Sequence, residues 1–131
     1  MFRLDKRKIF FLYQHYLLGN IPNIISENEK DEQRLVWLNN CLEKENFLGE
    51  KIGKKLKTGW EFSRLPPLEK SLLVYATYEI FFNHKFDYSK MIIDQLVNFS
   101  KVYLEEIKYK YINKVLDLLV KEEKFTTTKD I

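Results

Sequence analysis

Residues 66–82 read PPLEKSLLVYATYEIFF, and the fold is decided there. Two consecutive prolines cannot sit inside a helix but suit its first turn, where the missing N–H has no intrahelical partner to lose. From Leu68 to Phe82 the apolar positions are 72–76, 78 and 80–82, and at 3.6 residues per turn they surround the whole circumference instead of forming a stripe. Such a helix must be buried on nearly all sides, so the stretch predicts a central helix with others packed around it.

The flanking segments supply those others. Ile9, Leu12, Tyr13, Tyr16 and Leu17 recur at helical spacing and stop at Gly19-Asn20 before Pro22, which predicts a helix over about 5–18. Ser26, with Glu29 three residues on, has the pattern of a capping box, and Leu35, Leu38 and Leu42 continue one face to about residue 44. Leu48, Ile52, Leu56 and Trp60 are spaced by four, yet Gly49, Gly53 and Gly59 interrupt them, so this third helix is expected to be fragmented. Asp87 or Ser89 can cap a helix carrying Ile93, Leu96, Val97 and Leu104. A last one carries Ile112, Val115, Leu116 and Leu119. The stripe ends before Lys121, so the tail over 122–131 is expected to fray.

Composition agrees with an all-α chain. In 131 residues there are only 4 Gly and 3 Pro, a poor supply of turns for many short strands, while 45% hydrophobic residues suffice for a core. That length fits a single domain. One cysteine, Cys41, allows no internal disulfide, and with only His15 and His84 beside it no zinc set forms, so a cytoplasmic, metal-free protein is the default. The apolar runs are too short and too often charged for a membrane span or signal peptide.

Catalysis finds little support. No glycine pattern makes a phosphate loop, Cys41 lies in an apolar and amide-rich stretch that suits core filling, and no nucleophile, base and orienter assemble, so neither catalytic residues nor a cofactor are expected. Charge is patterned instead. Arg3, Lys6, Arg7 and Lys8 against Asp5 give residues 1–15 a net +3, residues 50–64 carry another +3, and the acidic segment 27–45 between them carries −3. Aromatic residues alternate with bases at Phe2-Arg3, Lys8-Ile9-Phe10-Phe11 and Tyr109-Lys110-Tyr111, the material that holds single-stranded RNA and also that of a helical core with snorkelling lysines.

The order of several short motifs resembles the NusB family of transcription antitermination factors. These are Leu12-Tyr13-Gln14, Trp60-x3-Arg64-Leu65, Leu72-Leu73-x2-Ala76-x-Tyr78-Glu79-Ile80, Ile93-Asp94-Gln95-x-Val97-x3-Lys101 and Tyr111-Ile112-Asn113-Lys114-Val115-Leu116-Asp117. The resemblance implies two small helical bundles sharing a buried central helix, with an N-terminal subdomain over about 1–58 and a C-terminal one over about 59–121. It also implies binding of boxA-type RNA in ribosomal RNA leaders, together with the ribosomal protein NusE, within the RNA polymerase antitermination complex. The other function the residues admit is a NusB-like helical module that contacts only protein.

Seven residues are candidates for the RNA site under this resemblance. Arg3, Lys6 and Arg7 would neutralise phosphates or merely solubilise a helix start. Tyr13 would offer its ring or hydroxyl, or pack into the core. Glu79 is either exposed at a binding surface or paired internally with a lysine or arginine, because an unpaired buried carboxylate is costly. Asn113 and Asp117, one turn apart, would meet base edges or a neighbouring loop. Trp60, Arg64 and Ala76 are assigned to architecture.

Overall fold

The computed structural model describes residues 1–19, 27–84 and 86–129, with side chains as far as Glu123. Six α-helices account for most of these residues and none of them forms a strand. They are α1 (Lys6–Leu18), α2 (Glu29–Glu43), α3 (Glu45–Gly53), α4 (Pro67–Tyr78), α5 (Ser89–Ser100) and α6 (Glu106–Lys129).

α4 is the central helix that its sequence demands. Every residue from Ser71 to Tyr78 is buried, and α1, α3, α5 and α6 all pack on it. α2 closes one bundle by packing on α1 and α3, while α5 and α6 pack on each other to form the second. Pro67 stands at the first helical position, as expected. The C-terminal end widens into a π-turn, Glu79–Asn83, where the His84 N–H reaches the Glu79 carbonyl at 2.9 Å. Such turns are rare and concentrate at functional positions.

Local chemistry sets the other boundaries. The Asp5 carboxylate accepts from the N–H groups of Arg7 (3.1 Å) and Lys8 (3.4 Å), starting α1, and Gly19 ends it at φ 70°, a left-handed conformation natural to glycine. α2 is capped by Asn28, whose side chain accepts from the Asp31 N–H at 2.8 Å; the Ser26 cap lies outside the described residues. Neither Asp87 nor Ser89 caps α5: Tyr88 occupies the position without a side-chain bond, and the Ser89 hydroxyl donates to the Phe86 carbonyl at 2.7 Å.

The third helix stops at Gly53, well short of Trp60. A Cβ on Gly49 would lie 2.7 Å from the Phe62 ring, so that glycine permits the close approach of the short helical turn Phe62–Arg64. Ile112, Val115, Leu116 and Leu119 bury the expected face of α6, and its helical backbone continues to Lys129. Glu122 and Glu123 meet Lys55 (3.0 Å) and Lys51 (2.9 Å) of the first bundle.

Candidate nucleic-acid interface

Gly59 brings an aromatic side chain to the surface. At φ 90° it turns the chain sharply after Lys57, whose carbonyl accepts from the Trp60 N–H at 2.9 Å, and Trp60 emerges 50% exposed. The indole lies edge-on to Tyr111 of α6, with ring centroids 5.2 Å apart at 60°. The Tyr111 hydroxyl accepts from the Lys57 backbone N–H at 2.7 Å, which pins the phenol ring and ties the 54–60 segment to α6.

Between these rings and α4 runs a groove of about 440 Å³. Leu65, Leu73 and Ile112 form its apolar walls, and Ile107 stands at its edge, 79% exposed. Lys57, Lys108, Lys110 and Lys114 also line it, against the single carboxylate of Glu69. Burial pushes the Glu69 pKa up while the charge of Lys108 opposes that shift. The groove thus combines two partly exposed rings with an excess of positive charge, which suits an anionic polymer bearing flat bases.

A second, polar cleft of about 520 Å³ lies beside the N-terminus and holds Arg3, Lys8, Tyr75, Glu79 and His84. The π-turn brings Asn83 and His84 back over Glu79: the Asn83 amide donates to its carboxylate, and His84 Nε2 lies 3.9 Å from Glu79 Oε2. Lys8 reaches the other oxygen at 3.4 Å, and only 2% of Glu79 is exposed. Of the two alternatives, the structure has the internal pairing with a lysine; Glu79 is not a freely exposed acceptor.

Arg7 is likewise engaged. Its guanidinium grips fully buried Asp31 through Nε (2.8 Å) and Nη2 (2.6 Å), and Arg34 bridges Asp31 to Asp5 at 2.8 and 2.9 Å. Hydrogen bonding to Arg7 holds the Asp31 carboxyl well below the usual carboxylate range, against the opposing effect of burial. Arg3 and Lys6 stay exposed beside this cluster and share a shallow depression with Arg34. Tyr13 is half-buried on α1.

Asn113 and Asp117 are half-buried one turn apart on the flank of α6 turned away from Tyr111, with Lys114 adjoining Asp117 at i,i+3 spacing. The seven candidates therefore do not converge on one site. Sequence reasoning misses Trp60, Lys57, Glu69, Lys108 and Lys114 as site residues, although the alternation Tyr109-Lys110-Tyr111 points to this part of α6. Trp60 and Arg64 also leave the architectural role: the Arg64 side chain is 84% exposed, whereas Ala76 is buried as expected. Burial pushes the Cys41 thiol pKa up, consistent with core filling.

Known proteins share this fold. The solved structure of T. maritima NusB superposes with a TM-score of 0.73 over 95% of this chain and 99% of that one, at 22% identity. The transcription antitermination protein NusB of Helicobacter acinonychis is 31% identical over 105 residues, spanning 77% of this chain and 74% of that protein. That of Carboxydothermus hydrogenoformans is 39% identical over 75 residues, 57% of this chain and 51% of its own. The sequence pattern of the NusB family matches residues 9–121, nearly the whole described helical core, and the chain belongs to that family.

Proposed function

We propose that the protein is a transcription antitermination factor that binds boxA-type single-stranded RNA of ribosomal RNA leaders together with the ribosomal protein NusE, so that RNA polymerase resists premature termination. The observation that carries this reading is the groove in which Trp60 and Tyr111 stand among Lys57, Lys108, Lys110 and Lys114. Rings stack bases, ammonium groups neutralise phosphates, and single-stranded RNA presents both in alternation. Exposed Arg3 and Lys6 extend positive charge to a second face, while Arg7 serves chiefly to hold Asp31. The role is one of binding and requires no catalytic group.

The helix start and the groove lie on different elements, and each offers only a few cations. A second protein that extends the surface would therefore contribute much of the affinity. The test is a titration of boxA RNA against a scrambled RNA of the same composition, with and without NusE. NusE should raise boxA affinity at least about tenfold and leave the scrambled RNA nearly unchanged. Replacing Arg3 and Lys6 by Ala should flatten the log–log salt dependence by about 0.7 for each phosphate no longer neutralised. If NusE enhances no RNA and Trp60→Ala changes nothing, the module that contacts only protein becomes the better account.

A further inference from the structure

Glu69 is the one acidic side chain among the described residues that line the groove. It occupies the first turn of α4, where a negative charge favours the helix dipole. That accounts for an acid at this position but not for its surroundings, which include Leu65, Leu73 and Ile112. Its carboxylate makes no hydrogen bond or ion pair with another described residue, and Lys108 acts on it only at longer range. Glu79 and Asp31, the buried acids among the described residues, are both fully partnered, whereas half-buried Glu69 lines the groove as an acceptor pair without a partner.

The chemistry of an occupant follows from two facts. Lys110 is paired with Glu106, but Lys57, Lys108 and Lys114 still leave the lining positive around one carboxylate and oppose a cationic ligand such as an arginine side chain, so the donor that Glu69 receives must belong to a neutral group on an anionic molecule. An ionised carboxylate offers only acceptors, two of them side by side. Guanine is the base whose Watson–Crick edge presents two adjacent donors, N1–H and the N2 amino group. Adenine and cytosine place an acceptor beside their donor, and uracil sets one donor between two carbonyls. A volume of about 440 Å³ is within the range of roughly 300–1,000 Å³ of pockets that hold small ligands, enough for one nucleotide.

We propose that Glu69 is the base-selecting residue of this groove: it accepts from the Watson–Crick edge of a guanine stacked on the exposed indole of Trp60, and so favours guanine over the other three bases at that position. The proposal rests on the reading of the groove as an RNA site. It assigns the lysines to the phosphates, the indole to stacking and the carboxylate to discrimination.

The test uses a short oligouridylate with one variable base at its centre, titrated into the full chain while its tryptophan fluorescence is followed. Trp37 is buried and Trp60 exposed, so quenching reports a base in the groove. The wild type should bind the guanine oligomer at least about tenfold more tightly than the adenine one, the range of one bidentate base contact. Glu69→Gln, whose amide offers one acceptor and one donor, should lose that preference and gain affinity for adenine, with the all-uridine affinity little changed. Glu69→Ala should lose the preference without the gain. Quenching in the wild type with a guanine preference that survives Glu69→Gln would overturn the proposal and leave the RNA reading standing. Absence of quenching by every oligomer would overturn the RNA reading of the groove and this proposal with it.

Discussion

At the scale of single residues, Trp60 departs from the architectural place its sequence context suggests, and Glu79 takes one of its two alternatives. A tryptophan in a helix-spaced apolar series reads as core, and a glutamate in an apolar helix is either exposed at a binding surface or paired internally. The structure exposes half of the indole and buries the carboxylate. Trp60→Ala should therefore cost about 1–2 kcal/mol in chemical denaturation, below the roughly 3–5 kcal/mol of a core tryptophan, and should weaken RNA binding by about 1–3 kcal/mol. Glu79→Ala should act mainly on stability, by about 2 kcal/mol: Lys8 is deprived of its buried partner but is exposed enough to rehydrate partly. A melting temperature unchanged by Glu79→Ala would contradict this assignment. Asp31 has a different signature. Its carboxyl titrates below the usual range in the folded state because Arg7 donates to it. The ionised form thus contributes stability that is fully present above about pH 4 and is lost as the pH falls through the lower folded value. Asp31→Asn should lower the melting temperature at neutral pH by several degrees and flatten its decline in acid. Parallel curves for the two proteins would exclude that role.

At the scale of elements, hydrophobic periodicity locates α1, α2 and α4 to within a few residues because each buries a face whose spacing is written in the chain, whereas it carries the fifth helix on to Leu104 although α5 ends at Ser100, and stops the last before Lys121 although the backbone of α6 stays helical to Lys129. It fails where a single backbone angle or a single close approach decides. Leu48, Ile52, Leu56 and Trp60 keep the spacing of one helix, yet α3 ends at Gly53, and Gly59 at φ 90° sends Trp60 outwards. The caps of α2 and α5 escape sequence reading for a similar reason: Asn28 and Tyr88 hold positions that three alternative polar residues nearby also suit. The candidate site is the less legible part, since a groove made of α4, α6 and a turn has no contiguous signature in sequence. Only Tyr109-Lys110-Tyr111 marks it in the chain. The central helix offers the plainest test at this scale. Leu72 is fully buried, and Leu72→Ala should cost about 2–5 kcal/mol in denaturant unfolding. Because α4 belongs to both bundles, helix loss and Trp37 fluorescence should shift together to the same lower midpoint. Separate midpoints would show bundles that unfold independently.

At the scale of the whole molecule, one small feature connects the beginning of the chain to its later part. Residues 2–5 are stitched down by side chains distant in sequence: the Leu4 N–H donates to Gln95 Oε1 at 2.8 Å, Gln95 Nε2 donates to the Phe2 carbonyl at 3.1 Å, and the Asp5 N–H donates to the Tyr75 hydroxyl at 3.0 Å. Phe2 is buried, its ring edge-on to His84. The Leu4–Gln95 bond spans 91 residues of sequence, so it closes a loop whose entropy must be lost before any reward arrives. That separation predicts a seam that closes late in folding, after the helices have assembled. Gln95→Ala should speed unfolding while leaving the folding rate nearly untouched, a φ-value near zero in stopped-flow chevrons. In kinetic terms, that result would make these few N-terminal residues a latch: no guide for the chain to its native state, but a fastening that lengthens the time it stays there.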